Sequence, residues 1–124
     1  MSKTILITGI GGMTPRSIAR FIKKRYPNYK IIGIDANPKA LGFYMQGLID
    51  KGADVLTFSA DVSDYEACKS LLAQANEHFG PIDLLINNAG ISHIGLFQDM
   101  TPDEWQRVMN VNIGSVMNLC HLVI

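Results

Sequence analysis

Three glycines near the amino terminus stand where a chain could bind a phosphate group. Residues 8–15 read TGIGGMTP and place Gly9, Gly11 and Gly12 before a helix start at Pro15. Glycines allow a tight turn and let backbone N–H groups approach a phosphate at the amino end of a helix. Neither G-x-G-x-x-G nor T-G-x-x-x-G-x-G is complete, because threonine, methionine and proline occupy the later glycine positions. Two interpretations stay open: a phosphate site, or a turn that the glycines merely allow.

Asp35 closes a second apolar run and is a candidate for binding a ribose. A carboxylate there accepts hydrogen bonds from a ribose 2′-hydroxyl and repels a 2′-phosphate, so it would favour NAD over NADP. Residues 35–38 read DANP, which is also a good turn and helix start. The binding interpretation and the turn interpretation are equally supported by the sequence.

Four short apolar runs alternate with helical patterns along the chain, and these elements must position the glycine turn and Asp35. Such alternation is typical of βαβ units around a parallel sheet, whose strands are covered on both faces. Right-handed crossovers and a chain reversal after the third strand predict the strand order 3-2-1-4. We therefore expect one α/β domain over residues 1–124, with a three-layer, doubly wound, Rossmann-like fold. The expected strands are residues 4–8, 31–35, 55–60 and 82–87.

Helix boundaries follow from caps and breakers. The first helix is expected from Pro15 to the residue before Pro27, and the second from Pro38 to Gly52. Two capping boxes start the later helices, each with a hydroxyl residue followed three positions later by a glutamate. The third helix is expected to stop at residue 80, and the fourth to run unbroken to residue 124. The two boxes are Ser63 with Glu66 and Thr101 with Glu104.

The composition excludes several classes of partner. Eleven Lys and Arg balance eleven Asp and Glu, so no net positive charge holds polyanions, and we expect no nucleic-acid partner. Cys68 and Cys120 form no C-x-x-C pair, which predicts no metal, no disulfide and a cytoplasmic location. The amino-terminal apolar run is far shorter than the about 20 residues of a membrane span, so we expect no membrane partner.

Residues 52–124 resemble the short-chain dehydrogenase/reductase family. The resemblance rests on SADVS at residues 59–63, NNAG at residues 87–90 and NVNIG at residues 110–114. It implies that Asn87 braces the strand ends. It also implies a cofactor cleft lined by Asp61 and Val62 beside the adenine, and by Asn88, Ala89 and Gly90.

Asn112 matches the asparagine of that family's catalytic tetrad, which orders water behind a catalytic lysine. The tetrad's serine and Tyr-x-x-x-Lys pair would follow residue 124, where this sequence finishes. We therefore expect Asn112 to have a structural, bracing role, and we expect the chain not to be an enzyme.

Residues 3–45 resemble a different family, the Rossmann-like amino-terminal domain of ATP-grasp ligases. The stretches that carry this likeness are residues 5–12, 16–17 and 32–38. Two resemblances in one chain predict an engineered or recombined chimera with a junction within residues 48–54. The alternative is a natural truncated reductase with an unusual glycine loop.

These patterns leave three functions open. The preferred one is a non-catalytic Rossmann-like scaffold with residual dinucleotide binding, NAD being the candidate cofactor. The alternative is a fragment of an NAD(P)-dependent short-chain dehydrogenase/reductase. A third is an assembly module, since an open sheet edge or the apolar last helix would favour pairing into a homo-oligomer.

Overall fold

A parallel four-stranded sheet lies at the centre of the chain. The computed structural model describes residues 2–49 and 54–124. The strands are β1 (Thr4–Thr8), β2 (Lys30–Asp35), β3 (Val55–Ser59) and β4 (Leu84–Ile86). Their order is β3-β2-β1-β4, and each neighbouring pair is parallel, which confirms the predicted topology.

Five α-helices accompany the sheet in the described part of the chain. They are α1 (Met13–Arg25), α2 (Pro38–Ile49), α3 (Tyr65–Phe79), α4 (Pro102–Met109) and α5 (Ser115–Val123). A short 3-10 turn (Phe97–Asp99) precedes α4, and a π-helical turn (Asn110–Gly114) joins α4 to α5. The expected end of α2 at Gly52, and part of the expected junction at residues 48–54, lie outside the described residues.

Alternating side chains of the strands build two cores, one on each face of the sheet. On one face Ile5 of β1 packs in a cluster with Ala19 of α1 and with residues of α2. On the other face Leu6 clusters with Leu71 of α3 and Leu119 of α5. Because both faces are covered, the middle positions of the strands are mainly apolar, and the three-layer arrangement is confirmed.

The cap of α3 differs from the expected Ser63–Glu66 box. The Asp64 side chain accepts a hydrogen bond from the Ala67 amide at 3.1 Å and caps the helix. The Ser63 hydroxyl instead donates to the Asp61 carboxylate at 2.7 Å. The Asp61 carboxylate, two residues before Ser63, thus binds the serine hydroxyl in place of the helix amide.

The capping box of α4 is confirmed. The Glu104 amide donates to the Thr101 hydroxyl at 3.3 Å, and the Thr101 amide donates to the Glu104 carboxylate at 2.9 Å. The helix is not unbroken, however, because the π-helical turn interrupts it before α5.

Four large apolar side chains of this last helical segment are exposed rather than buried. The core-facing side is formed by Val111, Ser115 and Leu119. The exposed stripe consists of Trp105, Met109, Ile113 and Met117. Pairing with a second copy through this stripe or through the edge of β4 stays a prediction.

Candidate functional site

A cleft of about 300 Å³ opens at the carboxyl ends of all four strands. β1 has β2 on one side and β4 on the other, so the chain changes direction in the sheet at this point. Ligands of open α/β sheets bind at such switch points. The cleft brings together eight of the nine residues predicted for cofactor binding, namely Gly9, Gly12, Asp35, Asp61, Val62, Asn88, Ala89 and Gly90.

The glycine turn approaches the opposite wall of the cleft closely. Gly9 has φ +64°, and a Cβ there would lie 3.0 Å from Nδ2 of Asn88 and 3.1 Å from Cα of Ala89. The Gly12 amide donates to the Gly9 carbonyl at 2.9 Å and closes the turn. Only glycine has both the conformational freedom and the small size for this position.

Gly11 is the one predicted cofactor residue that does not line the cleft. A Cβ at Gly11 would lie 2.5 Å from Cβ of Ala40 and 2.8 Å from Oδ2 of Asp35. This glycine therefore faces α2, and it allows the glycine turn to pack against the end of β2.

The Asp35 carboxylate is held by two backbone amides at the edge of the cleft. Its Oδ2 accepts a hydrogen bond from the Gly11 amide at 2.9 Å, and its Oδ1 accepts one from the Asn37 amide at 2.9 Å. Asn37 in turn accepts from the Lys39 amide at 3.0 Å, at the start of α2. Asp35 thus has the turn role, and the same oriented carboxylate also lines the cleft.

Asp61 lies at the other end of the cleft, in a hydrogen-bond network. Its Oδ1 accepts from the amide and hydroxyl of Ser63, and its Oδ2 lies 3.1 Å from Nη1 of Arg107. The Ser63 hydroxyl, with the Ser63 amide and Arg107, holds the pKa of Asp61 below its usual value despite partial burial. Asp61 is therefore a charged acceptor at neutral pH.

Thr8 fastens the loop after β4 to the end of β1. Its buried hydroxyl oxygen accepts hydrogen bonds from the Asn88 amide at 3.0 Å and the Ala89 amide at 2.9 Å. The two segments are far apart in the sequence, and this one oxygen joins them through two hydrogen bonds. Asn87, expected to brace the strand ends, places its amide nitrogen 3.5 Å from the sulfur of Cys120.

Asn112 braces the same loop from the opposite side. Its Oδ1 accepts from the Ile91 amide at 2.8 Å, and its Nδ2 donates to the Ile91 carbonyl at 2.9 Å. It lies within the π-helical turn, a feature that is frequent at functional sites. These two hydrogen bonds tie the loop after β4 to the π-helical turn, and the bracing role of Asn112 stays a prediction.

Several lining residues were missed by the sequence analysis. Most are backbone or apolar neighbours of predicted residues, such as Ala36, Ala60 and Ile91. Arg107 is different, because it comes from α4 and carries a charge into the cleft. It is the only Lys or Arg after Lys69 in the sequence, and this isolated positive charge could have marked it as a candidate site residue.

Within residues 2–49 and 54–124, no three His, Cys, Asp or Glu side chains are grouped so that they could hold a metal ion. No helix in the described part of the chain has both the length and the apolar character that a bilayer crossing requires.

Comparison with known proteins identifies one family. A family model described as short chain dehydrogenase matches residues 3–124. An acetoacetyl-CoA reductase of Rhizobium meliloti (strain 1021) is 31% identical over 125 residues, which cover 98% of this chain and 48% of that protein. The chain spans about half the length of the curated relatives it matches.

Two solved structures have the same fold. A short chain dehydrogenase from Mycobacterium smegmatis is 32% identical with a TM-score of 0.85, covering 98% of this chain and 50% of that one. A NAD⁺-bound xylitol dehydrogenase is 29% identical with a TM-score of 0.83, covering 98% of this chain and 46% of that one.

These findings correct two expectations. One family model covers both halves and crosses residues 48–54, so the ATP-grasp resemblance of residues 3–45 and the chimera are not supported. The glycine turn of the amino-terminal half is atypical for the family, because Met13 and Pro15 stand at the later glycine positions of the T-G-x-x-x-G-x-G motif. The expectation that the chain is no enzyme is also wrong, because the matching proteins are named dehydrogenases and reductases. The chain belongs to the short-chain dehydrogenase family.

Proposed function

We propose that the chain forms the cofactor-binding part of an NAD-dependent oxidoreductase that interconverts a carbonyl and an alcohol. The observation that carries the proposal is the shared cleft, where the glycine turn, two aspartates and the NNAG segment meet at the strand ends. The name of the Rhizobium relative, a reductase of an acyl thioester, supports a carbonyl substrate.

The glycine turn fits the pyrophosphate of a dinucleotide. A side chain at Gly9 would fill the narrow space beside Asn88 and Ala89, so the glycine keeps this part of the cleft open. The first amides of α1, those of Met13 and Thr14, have no partner within the helix and can donate to an anion. Pro15 contributes no N–H, so fewer donors are available than in a complete glycine motif.

Asp35 supports NAD rather than NADP. Each of its oxygens accepts one backbone amide, and each keeps a further acceptor site that a ribose hydroxyl could use. A 2′-phosphate at the same place would meet a negative charge that the two amides hold in position. When bound, NAD would supply the hydride-transfer chemistry, while this chain's residues bind and orient it.

Titration of the chain with NADH and NADPH, followed by cofactor fluorescence, tests the proposal. NADH is expected to bind more tightly, and Asp35→Asn is expected to reduce the NADH preference by about tenfold, which corresponds to about 1.4 kcal/mol. Glu77→Gln, which removes an exposed charge on α3, is the matched control and should leave the preference unchanged. Equal affinities in the unaltered chain would refute the NAD preference, and absence of binding by both would refute the cofactor role.

A further inference from the structure

Positive and negative side chains are separated between the two halves of this chain. Residues 1–49 contain eight Lys and Arg and one Asp, whereas residues 50–124 contain three Lys and Arg and ten Asp and Glu. The balance of charge that argued against polyanionic partners therefore holds only for the sum. In the fold, α1 and α2 pack together on one face of the sheet, while α3 and α5 pack on the other. The layer formed by α1 and α2 is thus positively charged.

Most of that positive charge lies on α1. Its thirteen residues include five cations and no Asp or Glu, and α2 adds one lysine and no acidic residue. Arg20, Lys24 and Arg25 are exposed, and within the described part of the chain none of the three forms an ion pair with a carboxylate. Lys23 has a structural role, since its Nζ atom donates to the Pro27 carbonyl at 2.7 Å and fastens the turn after the helix.

The stability of α1 does not account for these charges. Cations in the last turn meet the negative end of the helix dipole, which is a sufficient reason for Lys24 and Arg25. Arg16 lies in the first turn, where the dipole opposes a cation, and Arg20 lies in the middle of the helix. Arg16, Arg20 and Lys24 are also four residues apart, and like charges at this spacing repel one another. None of these side chains lines the cofactor cleft, so cofactor binding does not explain them either.

Two large apolar side chains are exposed beside the cations. Phe21 is 64% exposed and Met13 is 77% exposed. With about 100° of rotation per residue, Phe21 lies between Lys24 and Arg25 on the helix surface, and Met13 lies in line with Arg20 and Lys24. The exposed cations spread over about 140° of the helix circumference. A single partner helix contacts a narrower stripe, whereas a flat surface with mobile charged groups can meet all of them.

We propose that the exposed side of α1 docks on the surface of a membrane that contains anionic lipids. Arg20, Lys24 and Arg25 face the charged headgroups, while Phe21 and Met13 enter the headgroup layer. Long cationic side chains can bend toward the headgroups and lay their apolar stems along the surface. The contact is peripheral and needs no spanning helix. The phosphate backbone of a nucleic acid could also meet the cations, but it offers nothing to the two apolar side chains.

Co-sedimentation with lipid vesicles tests the proposal. Vesicles of phosphatidylcholine and phosphatidylserine, in a ratio of about two to one, are compared with vesicles of phosphatidylcholine alone. Each cation near an anionic surface strengthens binding about fivefold, so the three exposed cations give a preference of about a hundredfold for the anionic vesicles. Salt at about 0.5 M should remove most of this preference. Arg20→Gln combined with Lys24→Gln should weaken binding to the anionic vesicles about 25-fold.

Two single variants form a matched pair. Lys24→Gln and Lys69→Gln each remove the charge of an exposed lysine from a helix, but Lys69 lies on α3, in the other layer. Lys24→Gln should weaken binding to the anionic vesicles about fivefold, whereas Lys69→Gln should leave it unchanged. Phe21→Ala should also weaken it about fivefold, and it should leave binding to a short DNA duplex, the second probe, unchanged.

Several results would overturn the proposal. These are equal binding to anionic and neutral vesicles, no binding to either, and an equal loss in Lys24→Gln and Lys69→Gln. Tighter binding to the duplex than to the anionic vesicles would identify nucleic acid as the partner instead. The double variant relieves a repulsion, so a fall in its Tm would assign the cations to folding and would also overturn the proposal. The proposed function does not depend on these results, because titration with NADH tests it separately.

Discussion

Replacement of Thr8 by valine tests whether one hydroxyl holds the two walls of the cleft together. Valine has nearly the same shape, but it offers no acceptor to the amides of Asn88 and Ala89. Leaving a buried donor unsatisfied costs about 1–3 kcal/mol, and partial access of water to this loop favours the lower end. Two such donors give a loss of about 2 kcal/mol in the free energy of unfolding.

The corresponding change in Tm follows from the size of the chain. With an unfolding entropy of about 2.1 cal/mol/K per residue over 124 residues, Tm should fall by about 8 °C. Thermal unfolding followed by circular dichroism measures this value. Thr8→Ser is the matched control, because it keeps the acceptor and loses only one methyl group, worth about 0.8 kcal/mol. A valine variant as stable as the unaltered chain, or a serine variant that loses as much, would refute the reasoning.

Three further predictions concern other parts of the chain. Gly9→Ala should lower the free energy of unfolding by about 1–3 kcal/mol, because an alanine is strained at a φ of +64°. Gly42→Ala should raise it by about 0.5–1 kcal/mol, because this glycine lies within α2 and has open space for a Cβ. Urea denaturation measures both values, and the reverse ranking of the two variants would contradict the prediction. A backbone hydrogen bond from β1 holds the pKa of Asp83 below its usual value, so its stabilising effect is present above about pH 4 and is lost as pH falls through the lowered pKa. Asp83→Asn should therefore flatten the decline of the urea midpoint on acidification, and an unchanged decline would count against it. Burial raises the pKa of the Cys68 thiol to about 11, so little of it is present as the reactive thiolate. Iodoacetamide should therefore modify the partly exposed Cys120 first in the folded chain. Equal rates of modification would show that Cys68 is accessible.

Local patterns in the sequence were enough for the strands, for most of the helices and for the strand order, but not for the π-helical turn that divides the last helix. The box at Thr101 and Glu104 was predictable because all its partners lie within one helical turn. Strand order followed from uniformly apolar runs and the handedness of crossovers. The NNAG and NVNIG motifs indicated the family. The glycine loop did not, because its later positions carry methionine and proline, and its remaining residues resembled a second family.

The sequence could not predict which of two neighbouring side chains caps a helix. Ser63 and Asp64 are both good caps, and the choice of Asp64 depended on the nearby Asp61 carboxylate binding the serine hydroxyl. The side of the last helical segment that faces the core was also not readable from size and hydropathy. Two hydrogen bonds between the Asn112 side chain and the backbone of Ile91 help to hold this helical segment in its observed rotation.

The sequence by itself determined that this chain is a doubly wound α/β fold with polar and glycine residues after each strand, because those patterns are local. Only the tertiary structure decided which of these residues face one another. The Thr8 hydroxyl meets the NNAG segment, and Arg107 meets Asp61, across large separations in the chain. Such contacts depend on the packing of strands and helices that are distant in sequence, so no spacing rule along the chain could have predicted them.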